Sequence, residues 1–128
     1  MPKILIIDDS NFGRRRMQQA LAAAGHDVVE AADGAAGLTA VANHQPDCIV
    51  TDLLMPVVDG QTFLASLRAQ GSKVPVIVVS ADIQTTTRQK CMALGISAFL
   101  NKPQRMDELL ACIGRAVAEA EKGVAACI

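Results

Sequence analysis

The chain has 128 residues, which suits one compact domain with its own core better than two. A net charge of -1 and an aromatic content of 2% argue against nucleic-acid binding, which needs basic surface and rings for stacking on bases. Because no apolar run approaches the thickness of a bilayer, we expect a cytoplasmic protein without membrane insertion. The four cysteines form no C-x-x-C pair, which argues against zinc and is typical of reduced thiols.

Five short apolar segments alternate along the chain with helical patterns. The segments 27–31 and 97–100 are predicted to be short strands. The segments 3–8, 48–52 and 74–80 are predicted to be buried strands. Runs that are apolar on both faces are typical of central strands in a parallel sheet. Strand and helix alternate five times, which predicts an α/β domain with a five-stranded parallel sheet and helices on both faces. We predict that this domain covers residues 1–122, followed by a C-terminal tail over 123–128.

The intervening helices show recognisable start and stop signals. Ser10 and Asp33 are good N-caps for the first and second helices, and Asp59 can cap the third. The fourth, over 83–94, contains three threonines and is predicted to be the weakest. The last, from Met106, carries apolar residues at helical spacing and acids in its first turn.

Polar groups follow four of the predicted strands. The groups are Asp8 with its neighbour Asp9, then Asp52, Ser80 and Lys102. Ligands of open α/β sheets bind at the carboxyl ends of the strands, so we expect these side chains to converge. Clustered carboxylates repel one another unless a cation is present, and Mg²⁺ prefers a few carboxylate oxygens plus waters.

This group of residues also suits phosphoryl transfer. An aspartate can attack phosphorus, while Mg²⁺, an ammonium and a hydroxyl balance charge on the transferring oxygens, so Asp52 is the natural nucleophile. Each residue alone has a simpler structural explanation: the acids as caps or turn residues, Lys102 as a solvated side chain, and Phe99 as part of the core. Four strands presenting compatible groups at the same end favour the functional interpretation.

Four motifs together resemble a response-regulator receiver domain. They are ILIIDDS at 4–10, TDLLMPVVDG at 51–60, VVSA at 78–81 and FLNKP at 99–103. Each motif is weak alone, but all four in this order are specific, and they span nearly the whole chain. The resemblance implies a flavodoxin-like (βα)5 fold with strand order 2-1-3-4-5.

The same resemblance implies a phosphoacceptor role for Asp52. Phosphoryl would come from a histidine kinase or a histidine phosphotransfer protein. Mg²⁺, or Mn²⁺ in its place, would be bound by Asp9, Asp52 and the main-chain carbonyl of Leu54, with Asp8 assisting through water. The chain would catalyse only its own phosphorylation and dephosphorylation, so we expect a switch rather than a turnover enzyme.

Three further residues are implied to couple phosphorylation to shape. Ser80 would hydrogen-bond the phosphoryl group, Lys102 would ion-pair with it, and Phe99 would turn into the space near Ser80. The Lys102–Pro103 peptide bond is expected to be cis. The fourth helix, fifth strand and last helix would form the face that binds a downstream protein.

Two positions that vary within the family are expected to tune the lifetime of the phosphorylated state: Leu54 and Asp82. Leu54 is apolar and cannot orient water, so we predict slower self-hydrolysis than with an amide there. Unchanged or slower decay in Leu54→Asn would contradict this. Phenylalanine instead of tyrosine at position 99 removes a hydroxyl that could bind a partner, but the rotamer switch should survive.

The residues fit other functions less well than a switch. A phosphatase with an aspartate nucleophile uses a second acid, two residues later, to protonate the leaving group. This chain has Leu54 at that position, so the leaving group would lack a proton donor. A flavin carrier of the same fold would need amides without acids where Asp8 and Asp9 follow the first strand. The chain could also be the receiver part of a larger regulator. We favour a stand-alone receiver acting by protein contact in chemotaxis or a phosphorelay.

Overall fold

The structure is a computed structural model that describes residues 2–53, 60–81, 85–102 and 105–121. Strands and helices alternate throughout, as the sequence predicts. In chain order the elements are β1 (Lys3–Ile7), α1 (Asn11–Ala23), β2 (Asp27–Ala31), α2 (Gly34–His44), β3 (Cys48–Thr51), α3 (Gly60–Ala69), β4 (Val76–Ser80), α4 (Thr85–Ala93), β5 (Ala98–Asn101) and α5 (Met106–Glu121).

All the strand pairs in the sheet are parallel, and the strand order is β2-β1-β3-β4-β5. This confirms the predicted α/β, flavodoxin-like architecture. The register aligns Ile7 of β1 with Thr51 of β3, and Ser80 of β4 with Asn101 of β5. Because parallel strands point the same way, the residues that follow β1, β3, β4 and β5 meet at one edge of the sheet.

The core forms two layers, one on each face of the sheet. Alternate residues of β1 divide between them: Ile6 packs in the layer that contains Ile113 of α5, and Ile7 in the layer that contains Phe63 of α3. Helix α1 adds Met17 to the first layer. The central strands β1, β3 and β4 are therefore covered on both sides, which explains why their sequences are almost continuously apolar.

The helix caps follow the sequence signals. The Gly13 amide donates to the Ser10 hydroxyl at 3.1 Å, and the Ala36 amide donates to the Asp33 carboxylate at 2.8 Å. Both N-cap predictions are confirmed. The predicted cap at Asp59 and the predicted tail over 123–128 lie outside the described residues. Among the helices described, none is both long and apolar enough to cross a membrane.

Candidate functional site

Two adjacent strands carry the central acids to the edge of the sheet. The Asp52 amide donates to the Ile7 carbonyl at 3.0 Å, and the Asp8 amide donates to the Ala31 carbonyl at 3.2 Å. The ladder of hydrogen bonds thus extends one residue beyond β1 and β3. Both acids consequently sit on backbone that is fixed to the sheet rather than on a free loop.

Three carboxylates converge at this edge. Oxygen atoms of Asp8, Asp9 and Asp52 all lie within 4.8 Å of one another. Asp8 is 2% exposed and Asp52 is 9% exposed, whereas Asp9 faces solvent. Burial raises the pKa of Asp8, and the charges of Asp52 and Asp9 add to that rise, although the Ser10 amide and Lys102 oppose it. The cluster is therefore a place where a cation would relieve repulsion.

Lys102 is the cation that the chain itself supplies. Its backbone amide donates to the Ser80 carbonyl at 2.9 Å, which attaches the residue after β5 to the end of β4. Its Nζ lies 2.7 Å from Asp52 Oδ2 and 3.7 Å from Asp8 Oδ2. Burial alone would lower the pKa of Lys102, but the hydrogen bond and charge of Asp52, with Asp8, raise it overall. The ammonium therefore remains charged at neutral pH.

The backbone around Asp52 is tightly constrained. The Leu53 amide donates to Asp52 Oδ1 at 2.7 Å, and the Thr51 hydroxyl donates to the Asp52 carbonyl at 2.9 Å. The chain returns at Gly60, whose amide donates to the Leu53 carbonyl at 2.9 Å. A Cβ on Gly60 would overlap the Asp52 carbonyl oxygen and lie 2.7 Å from Leu53 Cα. Only glycine fits this close approach without a shift of the backbone.

Ser80 and Phe99 occupy the two strands beside the acids. Ser80 is fully buried as the last residue of β4. Phe99 of β5 pairs with Val78 of β4. Its side chain is partly buried against the core layer that contains Phe63. The guanidinium of Arg88 on α4 lies 5.6 Å from the centroid of the Phe99 ring. Phe99 thus connects the strand before Lys102 to the surface of α4.

Comparison with known proteins identifies the family. The family model described as "Response regulator receiver domain" matches residues 4–114. The chain belongs to this family. The curated Response regulator MprA of Mycobacterium sp. (strain KMS) is 34% identical over 109 residues, covering 85% of this chain and 47% of MprA. The Transcriptional regulatory protein PrrA of Mycobacterium tuberculosis is 36% identical over 110 residues, covering 86% and 47%. The chain spans about half the length of these relatives.

Solved receiver structures agree with this assignment. The Francisella response regulator 1452 receiver domain superposes with a TM-score of 0.90 at 30% identity, covering 94% of this chain and 99% of its own. Chemotaxis response regulator CheY4 of Vibrio cholerae gives 0.83 at 30% identity, with 91% and 98% covered. A CheY-like receiver protein from Methanospirillum hungatei gives 0.92 at 24% identity, covering 96% and 98%, and supports the fold alone. The chain is therefore a response-regulator receiver domain of two-component systems.

The acidic residues of this receiver domain fit a hard divalent cation. Receiver domains typically bind Mg²⁺ in an acidic pocket, and three carboxylates within 4.8 Å offer the oxygen ligands that Mg²⁺ prefers. One oxygen of Asp8 accepts a hydrogen bond from the Ser10 amide at 2.9 Å, and the other faces Lys102. The predicted carbonyl ligand Leu54 lies outside the described residues, as do Asp82 and the Lys102–Pro103 bond, so these remain predictions.

One residue of this receiver domain differs from expectation. Arg14, Arg15 and Arg16 open helix α1, and the simplest interpretation of such a run is a solvated face, with a contribution to docking as the alternative. Arg14 is instead only 16% exposed in its side chain, and it donates to the Asp8 carbonyl at 2.7 Å. The expectation was wrong for Arg14 because a run of like charges does not reveal which member folds back onto the preceding turn. For Gly60 the sequence predicts a stop after the Asp52 strand, and it gives no sign of the close approach to the Asp52 carbonyl.

Proposed function

We propose that this receiver domain is a phosphorylation-controlled switch in which Asp52 accepts the phosphoryl group. The observation that carries the proposal is the environment of one carboxylate. Asp52 is nearly buried, lies 2.7 Å from the Lys102 ammonium, and shares a 4.8 Å cluster with Asp8 and Asp9. A nucleophile, a cation and candidate metal ligands are thus assembled on rigid strand ends.

In the proposed reaction an oxygen of Asp52 forms a bond to phosphorus as the bond between phosphorus and the donor's oxygen or nitrogen breaks. The electron pair leaves with the donor group, and the product is an acyl phosphate on Asp52. Asp9, Asp52 and the carbonyl of Leu54 would hold Mg²⁺ or Mn²⁺, with Asp8 assisting through water. The bound ion supplies charge neutralisation for the phosphoryl oxygens.

Three residues of the chain would respond to the new charge. Lys102 already contacts Asp52, so its ammonium would pair with the phosphoryl oxygens after transfer. Ser80 would donate its hydroxyl to the same group. Phe99 lies in β5 beside β4 and is partly buried. It would then turn inward. These movements would convert an added charge into a change of surface shape.

Receiver domains interact with histidine kinases and with downstream effectors. We propose that a histidine kinase or a histidine phosphotransfer protein supplies the phosphoryl group here, in the cytoplasm, and that a downstream protein binds the face made by α4, β5 and α5. Signalling by protein contact in chemotaxis or a phosphorelay is supported by the likeness to CheY4, of which 98% is covered. The receiver part of a larger regulator is the second candidate, because MprA and PrrA are about twice as long as the matched region.

We further propose that the chain is not a turnover enzyme. A phosphatase with this nucleophile needs a general acid two residues later, and that residue is Leu54. Incubation with a small phosphate ester should therefore give no sustained release of phosphate. Steady turnover of the ester by the wild type would contradict this assignment.

The direct test is intact-mass measurement after incubation with acetyl phosphate and Mg²⁺. The wild type should gain one phosphoryl group only when Mg²⁺ is present, and Asp52→Ala should gain none. Asp27→Ala is the matched control, because Asp27 is an exposed acid at the start of β2, at the opposite edge of the sheet. A phosphoryl adduct on Asp52→Ala, or none on the wild type with Mg²⁺, would overturn the proposal.

A further inference from the structure

Arg14 connects three parts of the chain that surround the acidic cluster. Its Nη1 donates to the Asp8 carbonyl at 2.7 Å, its Nη2 to Asn11 Oδ1 at 2.6 Å, and its Nε to Glu30 Oε1 at 3.3 Å. The Arg14 side chain is 16% exposed and that of Glu30 is 43% exposed. A planar guanidinium that uses all three of its nitrogens holds its partners in one defined geometry.

The carbonyl that Arg14 binds belongs to the peptide unit that joins Asp8 to Asp9. This unit is planar, so fixing its oxygen also fixes the direction in which the chain leaves for Asp9. The Asp8 amide is already held by Ala31 at 3.2 Å, and Asp8 Oδ1 by the Ser10 amide at 2.9 Å. Arg14 supplies the remaining restraint on the turn that carries both acids.

We propose that Arg14 is a positioning residue that presets Asp8 and Asp9 for the divalent cation. This inference rests on the proposed function, because it concerns the affinity of the same metal site. Arg14 does not touch the cation; it acts through the Asp8–Asp9 peptide unit. Residues that orient metal ligands typically change metal affinity by about 10-fold to 100-fold when they are replaced.

The opposite effect is expected if only the charge of Arg14 matters. A positive charge near a cation site repels the cation, so its removal would tighten binding. Positioning predicts the reverse, because loss of the guanidinium frees the peptide unit. Arg15 separates the two effects: it is exposed, it carries the same charge one residue later, and within the described ranges its side chain has no hydrogen bond or ion pair.

The test is binding of Mn²⁺, followed by the electron paramagnetic resonance signal of the free ion, with Mg²⁺ as competitor and no phosphoryl donor. Arg14→Met should raise the dissociation constant about 10-fold or more. Arg14→Lys, which retains the charge but not the fork, should recover part of this loss. Arg15→Met should bind as tightly as the wild type or slightly more tightly. Equal binding by Arg14→Met and Arg15→Met would overturn the inference.

Two further measurements separate positioning from general damage to the fold. The Mg²⁺ concentration for half-maximal phosphorylation should rise in Arg14→Met, while the rate at saturating Mg²⁺ stays within about twofold of wild type. If Arg14→Met does not fold without metal, Arg14→Lys and Glu30→Gln decide, and wild-type Mn²⁺ affinity in both would refute the inference. Failure of the wild type to bind any divalent cation would instead refute the proposed metal site.

Discussion

Gly60 provides a sharp test of how the chain is held behind the nucleophile. An added Cβ would overlap the Asp52 carbonyl oxygen and approach Leu53 Cα at 2.7 Å. Both neighbours are backbone atoms of the segment that carries Asp52, so no side chain can rotate away to make room. Gly60→Ala must therefore shift either the start of α3 or the end of β3.

The size of the effect follows from two opposing contributions. Alanine is favoured over glycine in helices by about 0.5–1 kcal/mol. Overpacking against a rigid neighbour costs about 1–3 kcal/mol. Gly114 is the matched control, because it is an exposed residue of α5 with nothing within 4 Å of an added Cβ. Gly114→Ala should be stabilising, so the two variants should differ by about 1–3 kcal/mol, the cost of the overlap.

The measurement is urea unfolding followed by circular dichroism, because the chain has no tryptophan or tyrosine for intrinsic fluorescence. Gly60→Ala should unfold at lower urea than the wild type, and Gly114→Ala at higher urea, with a gap of about 1 M between them. Phosphorylation of Gly60→Ala by acetyl phosphate should also slow, because the Asp52 backbone moves. A Gly60→Ala midpoint equal to or above that of Gly114→Ala would refute the steric argument.

Three other predictions follow from described contacts. Burial raises the pKa of the Cys48 thiol to about 12, whereas an unfolded thiol loses its proton near pH 9. Above pH 9 the unfolded chain therefore holds fewer protons than the folded chain, so raising the pH favours unfolding. Urea titrations should show that the free energy of unfolding of the wild type, relative to Cys48→Ala, falls by about 1.4 kcal/mol per pH unit. A constant difference would contradict this. Arg68 donates to four backbone carbonyls at 2.8–3.2 Å, so Arg68→Met should lose about 2–4 kcal/mol by the same assay and Arg68→Lys should recover less than half. Arg88→Ala and Phe99→Leu should show a coupling energy of about 0.5–1 kcal/mol in a double-mutant cycle, whereas additive losses would mean that the cation–π contact is not stabilising.

The sequence was sufficient for the fold because each local signal agreed with the others. The central strands are apolar on both faces, and the direction and boundaries of the described strands could be predicted to within about two residues. The convergence of Asp8, Asp52 and Lys102 also followed, since residues after parallel strands share an edge. Strand order was different: periodicity does not encode it, and it came only from the family resemblance.

Contacts between distant parts of the backbone could not be predicted in this way. Gly60 is a glycine because of where the Asp52 carbonyl lies, and nothing in the local sequence indicates that approach. Arg14 is bonded to Glu30, which is 16 residues away on β2, so its role depends on how β1 and β2 pair. Both residues constrain backbone next to the acids, which is where local patterns carry least information.

The connections of Lys102 explain how one added charge could affect a remote surface. Its ammonium contacts Asp52, while its backbone amide donates to Ser80, so a single residue contacts both the nucleophile and the end of β4. Phe99, three residues before Lys102 in the chain, lies under the guanidinium of Arg88. In the proposed phosphorylated state, movement of Lys102 or Ser80 would act on the β4–β5 pair and hence on the Phe99–Arg88 contact. That contact stabilises by only about 0.5–1 kcal/mol, so a modest change at the site is enough to alter it.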